Sequence, residues 1–68
     1  MIYIGNTCFL EPNEHPSKGA TGHFVYSWGT QVWLRNGSHH RDDGPALVEF
    51  NGYKEWWVEG VITKNERP

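Results

Sequence analysis

Cysteine is almost absent from this sequence: Cys8 is the only one among 68 residues, so no disulfide can form within the chain. Domains this short bury only about 60% of the surface that the unfolded chain exposes, and many depend on disulfides, a metal or oligomerisation. The lone thiol, and the lack of a charged segment followed by an apolar one after Met1, predict a protein of the reducing cytoplasm.

Long apolar runs and an excess of basic residues are missing as well. No segment approaches the roughly 18 apolar residues that span a bilayer, so no membrane association is expected. Six Lys and Arg stand against eight Asp and Glu, giving a net charge of -2. Because binding to a nucleic-acid backbone needs clustered positive charge, a nucleic-acid partner is not expected. An acidic surface that imitates nucleic acid and blocks a nucleic-acid-binding enzyme is one alternative function, although the charge density is low for it.

Helical periodicity is also missing, and the remaining pattern is that of β-hairpins. Runs of β-branched and aromatic residues at 23–28 and 30–35 flank Gly29, and runs at 46–50 and 53–58 flank Asn51-Gly52. Both predict hairpins, and the Asn-Gly pair favours a type I′ turn. With short strands at 2–4 and 61–64, the predicted fold is all-β, a small meander of consecutive antiparallel hairpins. Residues 5–22, rich in Gly, Pro and Asn, are predicted to be a long irregular loop.

An internal repeat appears when the chain is laid against itself with a shift of 23 residues. The shift places Gly29 on Gly52, Trp33 on Trp56, Gly37 on Gly60, Arg41 on Lys64 and Pro45 on Pro68. A period of this length is typical of repeat architectures, in which one hairpin cannot bury its own face. We therefore predict a single domain, 1–68: a short strand and loop at 1–21, one repeat at 22–45, and a second, terminal repeat at 46–68.

The most distinctive segment is residues 36–46, which read NGSHHRDDGPA. It resembles the NGxxHRxDGPA motif of a repeat found in small proteins of tailed bacteriophages and some bacteria, and its spacing is similar to that of MORN repeats. The resemblance covers residues 22–68; the second copy, residues 59–68, departs from the motif where His and Asp-Gly are expected, and residues 1–21 have no counterpart.

The resemblance implies a phage-type accessory protein of the host cytoplasm, with an elongated sheet that serves as a binding surface, and it does not imply catalysis. Small accessory proteins of this kind are frequently inhibitors of host enzymes or of host defence, an inference from the class and not from any residue.

The polar cluster at 39–44 admits three interpretations. The first is a structural turn, in which Asp side chains accept backbone N–H groups and the Arg pairs with a carboxylate. Its residues are Asn36, Gly37, His40, Arg41, Asp43, Gly44 and Pro45. The second is a small metal site using His39, His40, Asp42 and Asp43, which lacks any spacing typical of zinc. The third, a hydrolytic dyad of His40 with Asp42 or Asp43, needs a walled pocket that so short a chain has little room to build, so no enzyme activity and no cofactor are predicted.

Ten aromatic residues offer both a core and an anchor for another protein. Because side chains alternate along a strand, Trp33 and Trp56 are expected on one face of the sheet and Trp57 on the other. We predict that a protein partner, or a second copy in a homodimer, binds through this aromatic surface or adds a strand at an open edge. The predicted contact residues are Trp57, Tyr53, Trp28, Tyr26, Arg35 and Glu55.

Overall fold

The computed structural model describes all 68 residues as one eight-stranded β-sheet without a helix, which confirms the predicted all-β class. The strands are β1 (Ile2–Ile4), β2 (Thr7–Phe9), β3 (Gly22–Val25), β4 (Gln31–Arg35), β5 (Ser38–His39), β6 (Leu47–Val48), β7 (Lys54–Val58) and β8 (Val61–Glu66). Their order is β1-β2-β3-β4-β6-β7-β8, with β5 pairing to β4. No helix is present that is long and apolar enough to cross a membrane.

The N-terminal third is more regular than the sequence predicts. Residues 5–22 were expected to be one irregular loop, but Thr7–Phe9 forms a strand that pairs antiparallel with β1 and parallel with β3. Gly5, with φ 61°, permits the two-residue turn that joins β1 to β2. Parallel neighbours require a crossover connection, so the irregular segment is confined to residues 10–21, which we call the crossover.

Both predicted hairpins are present, but the type I′ turn predicted at Asn51-Gly52 is wrong. Only Gly52 has positive φ there, and its N–H donates to the Glu49 carbonyl at 3.0 Å. This is a three-residue loop, a type I turn followed by one left-handed glycine. Two positive φ values in succession, as type I′ demands, occur instead at Asn36-Gly37 and Glu59-Gly60, which join β4 to β5 and β7 to β8.

The backbone obeys the 23-residue shift found in the sequence. The Tyr26 N–H donates to the Thr30 carbonyl at 2.8 Å, and the Glu49 N–H donates to the Tyr53 carbonyl at the same distance. The φ angles of the two equivalent glycines agree closely, at 97° for Gly29 and 95° for Gly52. The two hairpins therefore have the same geometry as well as related sequences.

The two repeats differ after their second strand. In the first, β5 and β6 lie end to end beside β4, and the loop of residues 40–45 between them leaves the sheet. In the second, β8 runs past the whole of β7 with a single irregularity between Trp56 and Trp57. The segment with the polar cluster is therefore a loop inserted into a strand position.

The small core lies on one face of the sheet, which we call the inner face. Cys8, Phe24 and Val32 stand opposite one another on β2, β3 and β4, and each is at most 5% exposed. Leu10 and Ala20, at the two ends of the crossover, pack against them. The crossover therefore covers the inner face, and the opposite or outer face, which carries Trp33 and Trp56, has no covering segment of this kind.

The two type I′ turns allow a matched test of how closely the crossover packs. Gly37 and Gly60 have nearly equal φ, 83° and 82°, so replacement by Ala strains both backbones by about 1–2 kcal/mol. A Cβ at Gly37 would also lie 3.1 Å from the Gly19 nitrogen, whereas one at Gly60 would meet only the Ser38 side chain at 3.4 Å. We expect Gly37→Ala to lower the free energy of unfolding by about 1 kcal/mol more than Gly60→Ala does in urea titrations. Equal losses would contradict the close approach.

Candidate functional site

The outer face is organised around Trp33. The His23 imidazole, from β3, stacks on its indole with ring centroids 4.1 Å apart and planes 5° apart. From the opposite side of β4, the Arg41 guanidinium lies 4.0 Å from the ring centroid. The His23 ring is fixed in turn by Thr7 Oγ1 at 3.1 Å and Gln31 Oε1 at 2.8 Å. The stack thus links β2, β3, β4 and the 40–45 loop across the uncovered face.

Arg41 organises the loop of residues 40–45. Its Nε donates to Asp43 Oδ1 at 3.0 Å, and one terminal nitrogen donates to the Pro45 carbonyl at 3.1 Å. A Cβ on Gly44 would lie 3.0 Å from the guanidinium carbon, so a larger residue there would push the arginine side chain aside by a few tenths of an ångström. Arg41, Asp43, Gly44 and Pro45 are therefore brought together around one cation resting on Trp33.

The second repeat has the same arrangement in a simpler form. The Lys64 ammonium lies 4.6 Å from the centroid of the Trp56 ring, as the Arg41 guanidinium lies over the Trp33 ring. In both repeats the cation follows its tryptophan by eight residues. Ala46 hydrogen bonds to both strands, since its carbonyl accepts from the Trp33 N–H and its N–H donates to the Glu55 carbonyl. Trp33 and Trp56 therefore share the outer face, each with a cation over its ring, and the fully buried Ala46 lies between their strands.

The two adjacent histidines have different environments. His40 Nδ1 accepts a hydrogen bond from the Glu59 N–H at 2.9 Å, which leaves the imidazole proton on Nε2. The Nε2 atom is buried and forms no hydrogen bond, although it lies 3.3 Å from Asp42 Oδ1. His39 instead tilts against the Trp57 ring, at 5.0 Å. No group of three or more His, Cys, Asp or Glu side chains is close enough to hold a metal ion. Of the four residues of the metal alternative, only His40 and Asp42 approach each other, and no third ligand joins them.

Three predicted contact residues come together on the inner face of β7. The Tyr53 hydroxyl donates to Glu55 Oε2 at 2.7 Å, and the Trp57 indole N–H donates to Glu55 Oε1 at 2.9 Å. All three are half-buried, and the hydrogen bond to the carboxylate raises the pKa of Tyr53 above its ordinary value of 10.0. The Trp57 side chain is thus half-buried, and its indole N–H already has a hydrogen-bond acceptor within the protein, unlike a fully exposed residue that anchors a partner.

The other predicted contact residues lie elsewhere. Tyr26 and Trp28 stack on each other at 4.6 Å beside Gly29, and Trp28 is 52% exposed. Arg35 forms an exposed ion pair with Glu59 at 3.2 Å. The six predicted residues therefore fall into three sets of contacts: Tyr53, Glu55 and Trp57 with one another, Tyr26 with Trp28, and Arg35 with Glu59.

The largest group of exposed apolar side chains lies near the N-terminus, where the sequence pattern predicts no site. Ten large hydrophobic side chains are exposed, and five of them lie in the first nine residues. Register places three of these, Ile2, Ile4 and Phe9, on the same face of β1 and β2 as His23 and Trp33. Of the other two, Met1 and Tyr3, Tyr3 pairs with Cys8 and therefore lies on the inner face. We call Ile2, Ile4 and Phe9 the N-terminal patch; the alternation of Ile2, Tyr3 and Ile4 before Gly5-Asn6 was its available sequence signal.

Arg41 and Lys64 provide a matched comparison of the two cation sites. Arg41→Lys keeps the charge but loses the planar contact with Trp33 and at least one of the two hydrogen bonds, so we expect a loss of about 1–2 kcal/mol in unfolding free energy. Lys64→Arg, at an exposed position with the same kind of ring contact, should change stability by less than about 0.5 kcal/mol. Chemical denaturation of both variants measures this, and an unaffected Arg41→Lys would show that the loop does not depend on the guanidinium.

Tyr53 should titrate abnormally. The folded protein holds the phenol proton more tightly than the unfolded chain does, so the protonated Tyr53 stabilises the fold. This stabilisation is complete below pH 10.0 and is lost as pH rises through the higher pKa of Tyr53 in the folded state. Phenolate absorbance, taken as the difference between the protein and its Tyr53→Phe variant, should show an onset above the ordinary pKa. Glu55→Gln should move that onset back towards 10.0. An unchanged onset would mean that the carboxylate does not cause the shift.

Comparison with known proteins found no matching family model, no matching curated protein and no matching solved structure.

Proposed function

We propose that this protein is a non-enzymatic protein-binding module that engages its partner through the N-terminal patch. The observation that carries the proposal is the group of exposed apolar side chains on one face of β1 and β2, where Ile2 is 55%, Ile4 65% and Phe9 39% exposed. Single exposed hydrophobic residues are common on soluble proteins, whereas a contiguous group marks an interaction surface. The patch occupies a hairpin at the edge of the sheet, where a partner can approach without disturbing the core.

The open edge of β1 defines the chemistry of the partner. β1 pairs only with β2, so its outer backbone N–H and C=O groups face away from the sheet. An extended segment of the partner can hydrogen bond to this edge and place alternate apolar side chains over Ile2 and Ile4. The other edge strand, β8, carries Lys64 and Glu66, and charged side chains of this kind protect an edge from strand addition. β1 has no charged residue.

The proposed biological role is that of a phage-type accessory protein that inhibits a host enzyme or defence complex. Its support is the resemblance of residues 36–46 to the phage repeat motif, together with a surface suited to a protein target. The organisation of Arg41, Asp43 and Gly44 around Trp33 gives that motif a structural explanation. Because the motif residues have this structural role, we assign partner binding to the N-terminal patch, which lies outside the motif.

Paired surface variants test the binding site. A tagged protein should retain a bacterial host protein from lysate, and Ile2→Ser/Ile4→Ser should reduce that retention at least tenfold, because it removes most of the apolar area. The control Val58→Ser/Val61→Ser removes two exposed apolar side chains at the far edge of the sheet. This variant should retain the host protein as the unmodified protein does. Trp57→Ala tests the β7 cluster separately. Retention that is insensitive to the patch variant, or lost only with Trp57→Ala, would contradict the assignment.

Two further measurements separate the possible partners and roles. Light scattering after size-exclusion chromatography should show a monomer; a dimer abolished by Ile2→Ser/Ile4→Ser would identify a second copy as the occupant instead. Expression in a bacterial host should slow growth or restore phage plating in a patch-dependent manner. Retention of a host protein without either phenotype would leave a binding module but remove the inhibitory role.

A further inference from the structure

A cavity of about 460 Å³ lies between the crossover and the inner face, on a different part of the molecule from the N-terminal patch. Its floor is formed by Tyr26, Val32 and Leu34. Residues 16–19 of the crossover form one wall, and residues 36–39, around the first type I′ turn, form the other. Its volume falls within the range of about 300–1,000 Å³ found for small-molecule sites.

The walls of the cavity are held in place by hydrogen bonds that do not involve its lining side chains. The Gly37 N–H donates to the Ala20 carbonyl at 2.8 Å, and the Asn36 N–H donates to the Thr21 hydroxyl at 3.0 Å. The close approach of Gly19 to Gly37 leaves no room for a side chain between the walls at this point. The cavity is thus preformed, so a ligand need not order it at an entropic cost.

The charge of the lining is opposite to that of the whole chain. None of the eight Asp and Glu residues lines the cavity, although the protein has a net charge of -2. Lys18 does, and it has no ion-pair partner within the protein. Ser17, Ser38, Asn36 and His39 add hydrogen-bonding side chains that make no hydrogen bond within the protein. An ammonium group with several unengaged polar groups around it favours an anion.

The floor adds a preference for an apolar, planar body. The Tyr26 ring is held by stacking on Trp28 and by an edge contact with His15, and Val32 is part of the core. We propose that this cavity binds a small organic anion carrying one aromatic ring, such as an aryl phosphate or aryl carboxylate. Its anionic group contacts Lys18 and the Ser38 side of the cavity, and its ring lies on Tyr26 and Leu34.

Amide chemical shifts measured by NMR during titration with phenyl phosphate test the site. Phenyl phosphate should cause saturable shifts at Gly19, Gly37 and Ser38, and Lys18→Gln should weaken its binding about tenfold because a charge-assisted hydrogen bond is lost. Lys54→Gln removes the same charge from a lysine that does not line the cavity and should leave the affinity unchanged. Ser17→Asp, which adds a carboxylate at the exposed rim, should abolish binding.

Control ligands test each half of the proposed chemistry. Phenol lacks the anion and inorganic phosphate lacks the ring, so each should bind at least tenfold more weakly than phenyl phosphate. No saturable shift with phenyl phosphate, or equal weakening by Lys18→Gln and Lys54→Gln, would overturn the proposal. Tight binding of inorganic phosphate would overturn the role of the ring. Ile2→Ser/Ile4→Ser should bind phenyl phosphate normally, so this proposal and the protein-binding function fail independently.

Discussion

The parallel pairing of β2 with β3 is the constraint on which the rest of the structure depends. A hairpin can join antiparallel strands, but parallel neighbours oblige the chain to cross over one face of the sheet. Here the crossover brings Leu10 and Ala20 onto Cys8, Phe24 and Val32 and so creates the core. Only three of the buried side chains, Leu10, Phe24 and Val32, are large enough to contribute roughly 1.5–3 kcal/mol each, so the sheet has little stability to spare if this cover is lost.

The same constraint explains the outer face. Because the crossover covers only one side, the other must be stabilised by contacts within the sheet itself. In the stack of His23, Trp33 and Arg41, and in the simpler pair of Trp56 and Lys64, a cationic side chain lies over a large aromatic surface. The cation over each tryptophan therefore covers apolar surface that a second layer of secondary structure would otherwise cover. The arrangement occurs in both hairpins because each has the same uncovered face.

Local patterns in the sequence were enough to predict both hairpins and the common face of Trp33 and Trp56. These features depend on neighbouring residues, alternation and glycine positions, which a single sequence displays. The strand Thr7–Phe9 was missed because it is only three residues long: its hairpin with β1 offers few local signals, and its pairing with β3, sixteen positions away, offers none. The turn at Asn51-Gly52 failed for a related reason: the dipeptide permits type I′, but the register of β6 and β7 requires a three-residue loop.

The contacts of the predicted partner-binding residues bear on function. In so small a sheet the aromatic and charged side chains satisfy one another, as Glu55 does for Tyr53 and Trp57. Side chains with no such partners are left at the periphery, on the N-terminal hairpin and around the cavity under the crossover. In a domain whose aromatic residues are largely used for its own stability, the groups left unpaired are the better guide to what it binds.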